Sequence, residues 1–159
     1  MIEDAKLISE YRCPRFRELP QISLYMDQVL LVLTDALAPF SQLTDPITST
    51  MINNYVKQKL ISPPENKKYS RTHVAELIMI FILKRELAIS EITSLLSYIK
   101  EGRSAEAAYD LFCERMEAVI KLTFGAAPAL TDAGCPALDA ALTALANKLL
   151  MQFLLQKQA

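Results

Sequence analysis

Seven consecutive apolar residues, Leu77 to Leu83, stand between Glu76 and Lys84. The run is far shorter than the roughly 20 residues that span a bilayer. Wound as a helix, it is apolar nearly all round, so it belongs at the centre of a domain with other elements packed on it. A chain of 159 residues that is 52% apolar can supply those elements. Glycine occurs three times, at Gly102, Gly125 and Gly134, which argues against a strand-rich fold of tight turns. Neither G-x-G-x-x-G nor G-x-x-x-x-G-K-[ST] is present, so no glycine-rich phosphate cradle is expected.

Apolar spacing places helices on both sides of that run. Ile22, Met26, Val29, Leu30, Leu33 and Leu37 trace one face of a 3.6-residue period, predicting a helix from an N-cap at Ser23 to near Pro39. Ser41 to Pro46 read as a loop. A short helix follows over residues 50–60, capped by Ser49 or Thr50. Met51, Ile52, Tyr55 and Leu60 point inward on it, and Asn53, Asn54, Lys57, Gln58 and Lys59 outward. Pro63-Pro64 ends that element, Glu65 to Lys68 form a short loop, and Ser70 caps the helix of Val74 to Arg85.

Downstream, a helix from Ser90 buries Ile92, Leu95, Leu96 and Ile99 and ends at Gly102 in a left-handed terminus. Another runs from about Ser104 to Phe124, and a last one starts near Pro136. The last carries Leu138, Leu142, Leu145, Leu149 and Phe153 on one stripe, widened by Leu150, Met151, Leu154 and Leu155. That surplus predicts a second contact, with another copy of the chain. Upstream, the segment around Pro14 and Pro20, with Arg12, Arg15 and Arg17, reads as an extended arm. The expected organisation is therefore an arm (1–22), a helical domain (23–102) and a C-terminal helical extension (103–159).

Charge is nearly balanced overall, at -1, but unevenly distributed. Between Thr48 and His73, five cations (Lys57, Lys59, Lys67, Lys68, Arg71) face one anion, Glu65, a net of +4. From Ser104 onward, six carboxylates outnumber four cations, a net of -2. One candidate surface is thus basic and the C-terminal part is not. Asn and Gln can hydrogen-bond base edges and lysine attracts phosphate, so the outward set of residues 50–60 suits a nucleic-acid groove. A solvated helix face beside a soluble turn accounts for the same residues.

Catalytic and metal chemistry find little support. His73 is the one histidine, and Cys13, Cys113 and Cys135 are odd in number and lack C-x-x-C spacing. Neither a disulfide framework nor a zinc site is expected, and a reducing cytosol suits the thiols. No apolar signal core is seen near Met1. The expectation is no enzyme, no metal, no cofactor and no membrane segment.

Two resemblances sharpen this reading. From Thr48 to Leu96 the chain resembles the DNA-binding domain of MerR-type regulators. Tyr55, Leu60-Ile61, Pro63, Lys67, Tyr69-Ser70, Val74, Leu77, Ile80, Ile89 and Ile92 fall in that family's order. Asn53 stands where the family has a phosphate-gripping arginine, Lys59 where it has a glycine, and the wing is shortened. From Tyr11 to Ile99 the chain resembles a bacterial group catalogued as domain of unknown function 1836. The runs Tyr11-Arg12-Cys13-Pro14-Arg15, Leu24-Tyr25-Met26-Asp27-Gln28-Val29 and Met51-Ile52-Asn53-Asn54-Tyr55-Val56-Lys57 carry that likeness.

Together the resemblances imply an all-α chain with a winged helix-turn-helix-like (MerR-type) core and a C-terminal helical extension, in a small cytoplasmic bacterial protein. The expected function is a DNA-binding transcription regulator, with helix 50–60 in the major groove and a short basic wing at 62–71. Its candidate contacts are Thr50, Asn53, Asn54, Lys57, Lys59, Lys67, Lys68, Tyr69 and Arg71. Its partners would be double-stranded DNA and a second copy, joined through the C-terminal helices. The alternative is a helical interaction or small-ligand sensor protein of the same fold that does not bind DNA. The arm arginines cover the domain surface or, in the regulator reading, reach a minor groove.

Overall fold

The structure, a computed structural model, describes residues 6, 8–43, 45–125 and 136–156. Among these, six α-helices follow one another: α1 (Met26–Ala36), α2 (Ser49–Lys57), α3 (Arg71–Leu83), α4 (Ile89–Lys100), α5 (Ala105–Gly125) and α6 (Pro136–Gln156). Short 3-10 segments occupy Phe16–Glu18 and Ala38–Leu43. There is no strand among the described residues, only two isolated antiparallel bridges, Leu24 with Tyr69 and Glu65 with Lys68. The fold is all-α.

The apolar run sits where its composition requires. Val74, Ala75, Leu77, Ile78, Met79, Ile80 and Phe81 of α3 are all buried. Around them lie Val29 and Leu33 of α1, Ile52 and Tyr55 of α2, Ile92 and Leu96 of α4, and Tyr109 and Cys113 of α5. Removing each such side chain from water stabilises the fold by about 1.5–3 kcal/mol. That gain holds α3 in place despite the absence of a polar face. Ser70 caps it as expected, accepting the His73 N–H at 3.4 Å.

Several boundaries differ from the sequence-based expectation, each for a local reason. α1 begins at Met26 rather than Ser23, because Leu24 exchanges two backbone hydrogen bonds with Tyr69, at 2.9 and 2.8 Å. Gln28 Oε1 then accepts the Tyr25 N–H at 2.9 Å and starts the helix. The cap of α2 is Thr48, whose Oγ1 accepts the Met51 N–H at 3.3 Å; Ser49 and Thr50 are already helical.

α2 stops at Lys57 rather than Leu60. Lys59 takes φ 59°, while its N–H bonds Val56 O at 3.0 Å and the Leu60 N–H bonds Tyr55 O at 2.9 Å. This is a Schellman terminus with lysine at the position that usually takes glycine. The loop of Glu65 to Lys68 is a two-residue hairpin. Glu65 and Lys68 exchange both backbone hydrogen bonds, at 3.1 and 2.9 Å, with Asn66 at φ 49° and Lys67 at φ 62°. Gly102, by contrast, ends α4 at φ 68° as the sequence predicts.

The arm is pinned to α5. Tyr109 Oη donates to Pro14 O at 2.8 Å, Asp110 Oδ1 accepts the Phe16 N–H at 2.8 Å, and Glu117 Oε1 accepts the Cys13 N–H at 2.8 Å. Tyr11 Oη meanwhile donates to Ala36 O at the end of α1, at 2.8 Å. One buried cluster therefore joins Tyr11, Cys13 and Leu19 of residues 1–22 with Tyr109 and Cys113 of residues 103–159.

α6 lies on α4, where Gln152 Nε2 donates to Glu91 Oε1 at 2.6 Å, and Lys148 Nζ donates to Glu86 O in the turn before α4, at 2.9 Å. The side chains of Leu138, Leu142, Leu145 and Leu149, residues 126–135 with Cys135, and residues 1–5 lie outside the described residues. No helix among the described residues is long and apolar enough to cross a membrane.

Candidate nucleic-acid interface

α2 is amphipathic because Ile52 and Tyr55 recur on one side of a short helix and everything opposite them is polar. Tyr55 meets Phe81 of α3 edge-to-face, with centroids 5.6 Å apart, and this fixes the roll of α2. Burial pushes the Tyr55 hydroxyl above its usual pKa. Thr50, Asn53, Asn54 and Lys57 are exposed, as is Lys59 at the left-handed terminus.

The hairpin hangs from buried Leu60 and Ile61 on one leg and buried Tyr69 on the other. Lys67, at its tip, is exposed. The Lys68 ammonium lies 5.0 Å from the centre of the Tyr25 ring, a cation–π contact. Tyr69 is a correction to the contact set: only 3% exposed, it packs edge-on against His73 and is a core residue. Burial raises its hydroxyl pKa as well. Arg71 sits with its guanidinium 5.6 Å from the Phe16 ring centre, and its buried Nε has no hydrogen-bond partner among the described residues.

His73 ties the two legs together. Its Nδ1 accepts the Ser70 N–H at 3.0 Å, so the ring proton belongs on Nε2, which donates to Ser62 O at 3.1 Å. The Ser70–His73 pair is a capping box with histidine in place of the usual Glu or Gln. A serine three residues ahead of a histidine was the available signal for this role. No hydrogen bond or ion pair among the described residues links the outward face of α2 to the hairpin tip.

Arg12 pairs with Glu18 at 3.0 Å, Arg15 with Glu117 at 2.6 Å and Arg17 with Glu106 at 2.7 Å. The Arg15 guanidinium holds the Glu117 carboxyl below the usual carboxylate range. Lys57, Lys59 and Lys67 have no carboxylate partner among the described residues. Each arm arginine thus has a carboxylate partner within the chain. Nothing in the spacing of the sequence singled out Glu117 or Tyr109 as the arm's anchors. No group of three or more His, Cys, Asp or Glu among the described residues could hold a metal ion.

Residues 14–112 match the family described as domain of unknown function DUF1836, and the chain belongs to that family. The matched span starts in the arm and ends in α5, the two pieces that the structure joins. The chain matches no curated protein and no solved structure.

Proposed function

We propose that this chain is a DNA-binding transcription regulator with a winged helix-turn-helix-like, MerR-type core. In this reading α2 enters the major groove, and the Glu65–Lys68 hairpin is a minimal basic wing. The observation that carries it is the polar outward face of α2 and the hairpin: Asn53, Asn54, Lys57, Lys59 and Lys67 are all exposed, and the three lysines have no carboxylate partner among the described residues, whereas each arm arginine is matched to one. The Leu24–Tyr69 bridge supports the winged arrangement, since it holds one leg of the hairpin against the start of α1.

Asn53 and Asn54 would read base edges, with Thr50 beside them at the start of the helix. Lys57, Lys59, Lys67, Lys68 and Arg71 would neutralise phosphates. Tyr69 would position the wing from beneath. A homodimer through the C-terminal helices would present two such surfaces to half-sites one turn apart, within a bacterial cytoplasm. Leu150 and Leu154 on α6, 53% and 52% exposed and one turn apart, support that contact.

Salt titration of binding to a genomic fragment library tests the proposal. With three to five phosphate contacts, log K should fall against log salt with a slope between about -3 and -4.5. The second reading is a helical interaction or ligand-sensor protein that does not bind DNA. The two-residue hairpin and the neutralised arm favour it. No binding, or binding indifferent to salt, selects it over the regulator.

A further inference from the structure

An apolar cavity of about 230 Å³ opens between the C-terminal end of α3 and the middle of α5. Its walls include Leu37, Phe40, Ile47, Phe81, Met116 and Ile120. An engineered apolar cavity of roughly 150 Å³ takes up benzene, so this one has room for a single ring or a short alkyl chain. Its lining also includes two cations, Lys84 and Arg85, and one carboxylate, Asp45.

Lys84 is the informative group. It is partly buried, with Nζ 4.7 Å from the centre of the Phe81 ring and 3.8 Å from Met51 Sδ. Asp45 acts on it from beyond ion-pair distance, and no carboxylate among the described residues pairs with it. Burial draws its pKa down, so the ammonium occupies a place that penalises its own charge. A partly buried ammonium with no paired carboxylate gains from an incoming anion. An apolar wall beside it gains most from an alkyl or aryl group.

We infer that this cavity binds a small amphipathic carboxylate, its tail against Phe81, Met116 and Ile120 and its carboxylate on Lys84 and Arg85. The site reaches α2 by two contacts, Lys84 with Met51 and Phe81 with Tyr55. A carboxylate that draws Lys84 off Met51 alters the packing beneath the outward face of α2. Binding at the cavity does not depend on that face meeting DNA.

The test uses the full chain, with Ile and Met methyl groups labelled for NMR, titrated with hexanoate and separately with hexanol. Hexanoate should shift the methyls of Ile47, Met116, Ile120 and Met51 saturably. It should bind about tenfold or more tightly than hexanol, the worth of a charge-assisted hydrogen bond. Lys84→Met should reduce that preference several-fold, Arg85 keeping the remainder, while leaving hexanol binding intact. The inference is overturned if neither compound shifts these methyls at millimolar concentration, if the shifts fall elsewhere, or if the wild type binds both equally. The wild-type comparison decides the matter even where Lys84→Met fails to fold.

Discussion

Arg15 and Glu117, 102 positions apart in the chain, meet in a two-pronged ion pair: Nη1 to Oε1 at 2.6 Å and Nη2 to Oε2 at 2.9 Å. The same carboxylate accepts the Cys13 N–H. Both side chains are about one-quarter exposed, so solvent screens the pair only in part. Glu117 is thereby the residue that closes the arm on α5.

Replacing it exposes the size of that closure. Glu117→Ala leaves a guanidinium and a backbone N–H without their acceptor, and should cost about 1–3 kcal/mol. Glu117→Gln keeps an oxygen for the Cys13 N–H and should cost less. Urea midpoints of the two variants check the order.

Acid should act through the same carboxylate. The hydrogen bonds and charge of Arg15 depress the Glu117 pKa in the folded chain. Its contribution is complete above the unfolded value, near 4.3, and is lost as pH falls through the folded value. Stability of the wild type should therefore decline on acidification below about pH 4.5. Glu117→Gln should decline less steeply, though not flatly, because Glu18 and Glu91 are shifted in the same direction. A Gln variant with an unchanged acid profile would remove Glu117 from this account.

Lys59 and Lys67 occupy left-handed backbone at φ 59° and 62°. An L side chain there costs about 1–2 kcal/mol, which glycine avoids. Lys59→Gly and Lys67→Gly should each raise the thermal midpoint, and Lys59→Val should lower it. Each glycine also deletes a proposed phosphate contact, so the salt slope of DNA binding should shrink by about 1. Higher stability with a shallower slope separates a lost contact from a damaged fold.

His73 is expected to govern the rigidity of the hairpin. His73→Ala removes the bonds to Ser62 and Ser70 and leaves a gap under Tyr69, at a cost of about 1–3 kcal/mol. Amide exchange at Lys68, Tyr69 and Ser70 should quicken. His73→Gln should retain the capping box and restore part of the protection.

On DNA the amide and ammonium groups should behave differently. Asn53→Ala should lower affinity for the preferred site by about 1–3 kcal/mol and relax sequence preference. Lys57→Ala should weaken binding to all sequences alike. Arg17→Ala should change little, because that guanidinium is already held by Glu106. Equal binding by all three variants would leave α2 a solvated face.

By itself the sequence determined whatever is encoded within a turn or two of chain. The LIMIFIL run specified a helix that had to be central, Ser70 marked its start, and Gly102 closed α4. The period of Ile52 and Tyr55 set which face of α2 turns outward. These signals are local, since each depends on side chains one helical turn apart.

Tertiary structure decided which of the polar residues stay available. Arg12, Arg15 and Arg17 look alike in the sequence, yet two of them are matched across 102 and 89 positions by carboxylates of α5. Tyr69, a candidate contact, is held in the core by its backbone bridge to Leu24. A charge becomes free or neutralised, and a ring buried or exposed, only when distant segments pack together. No spacing along the chain records that distance.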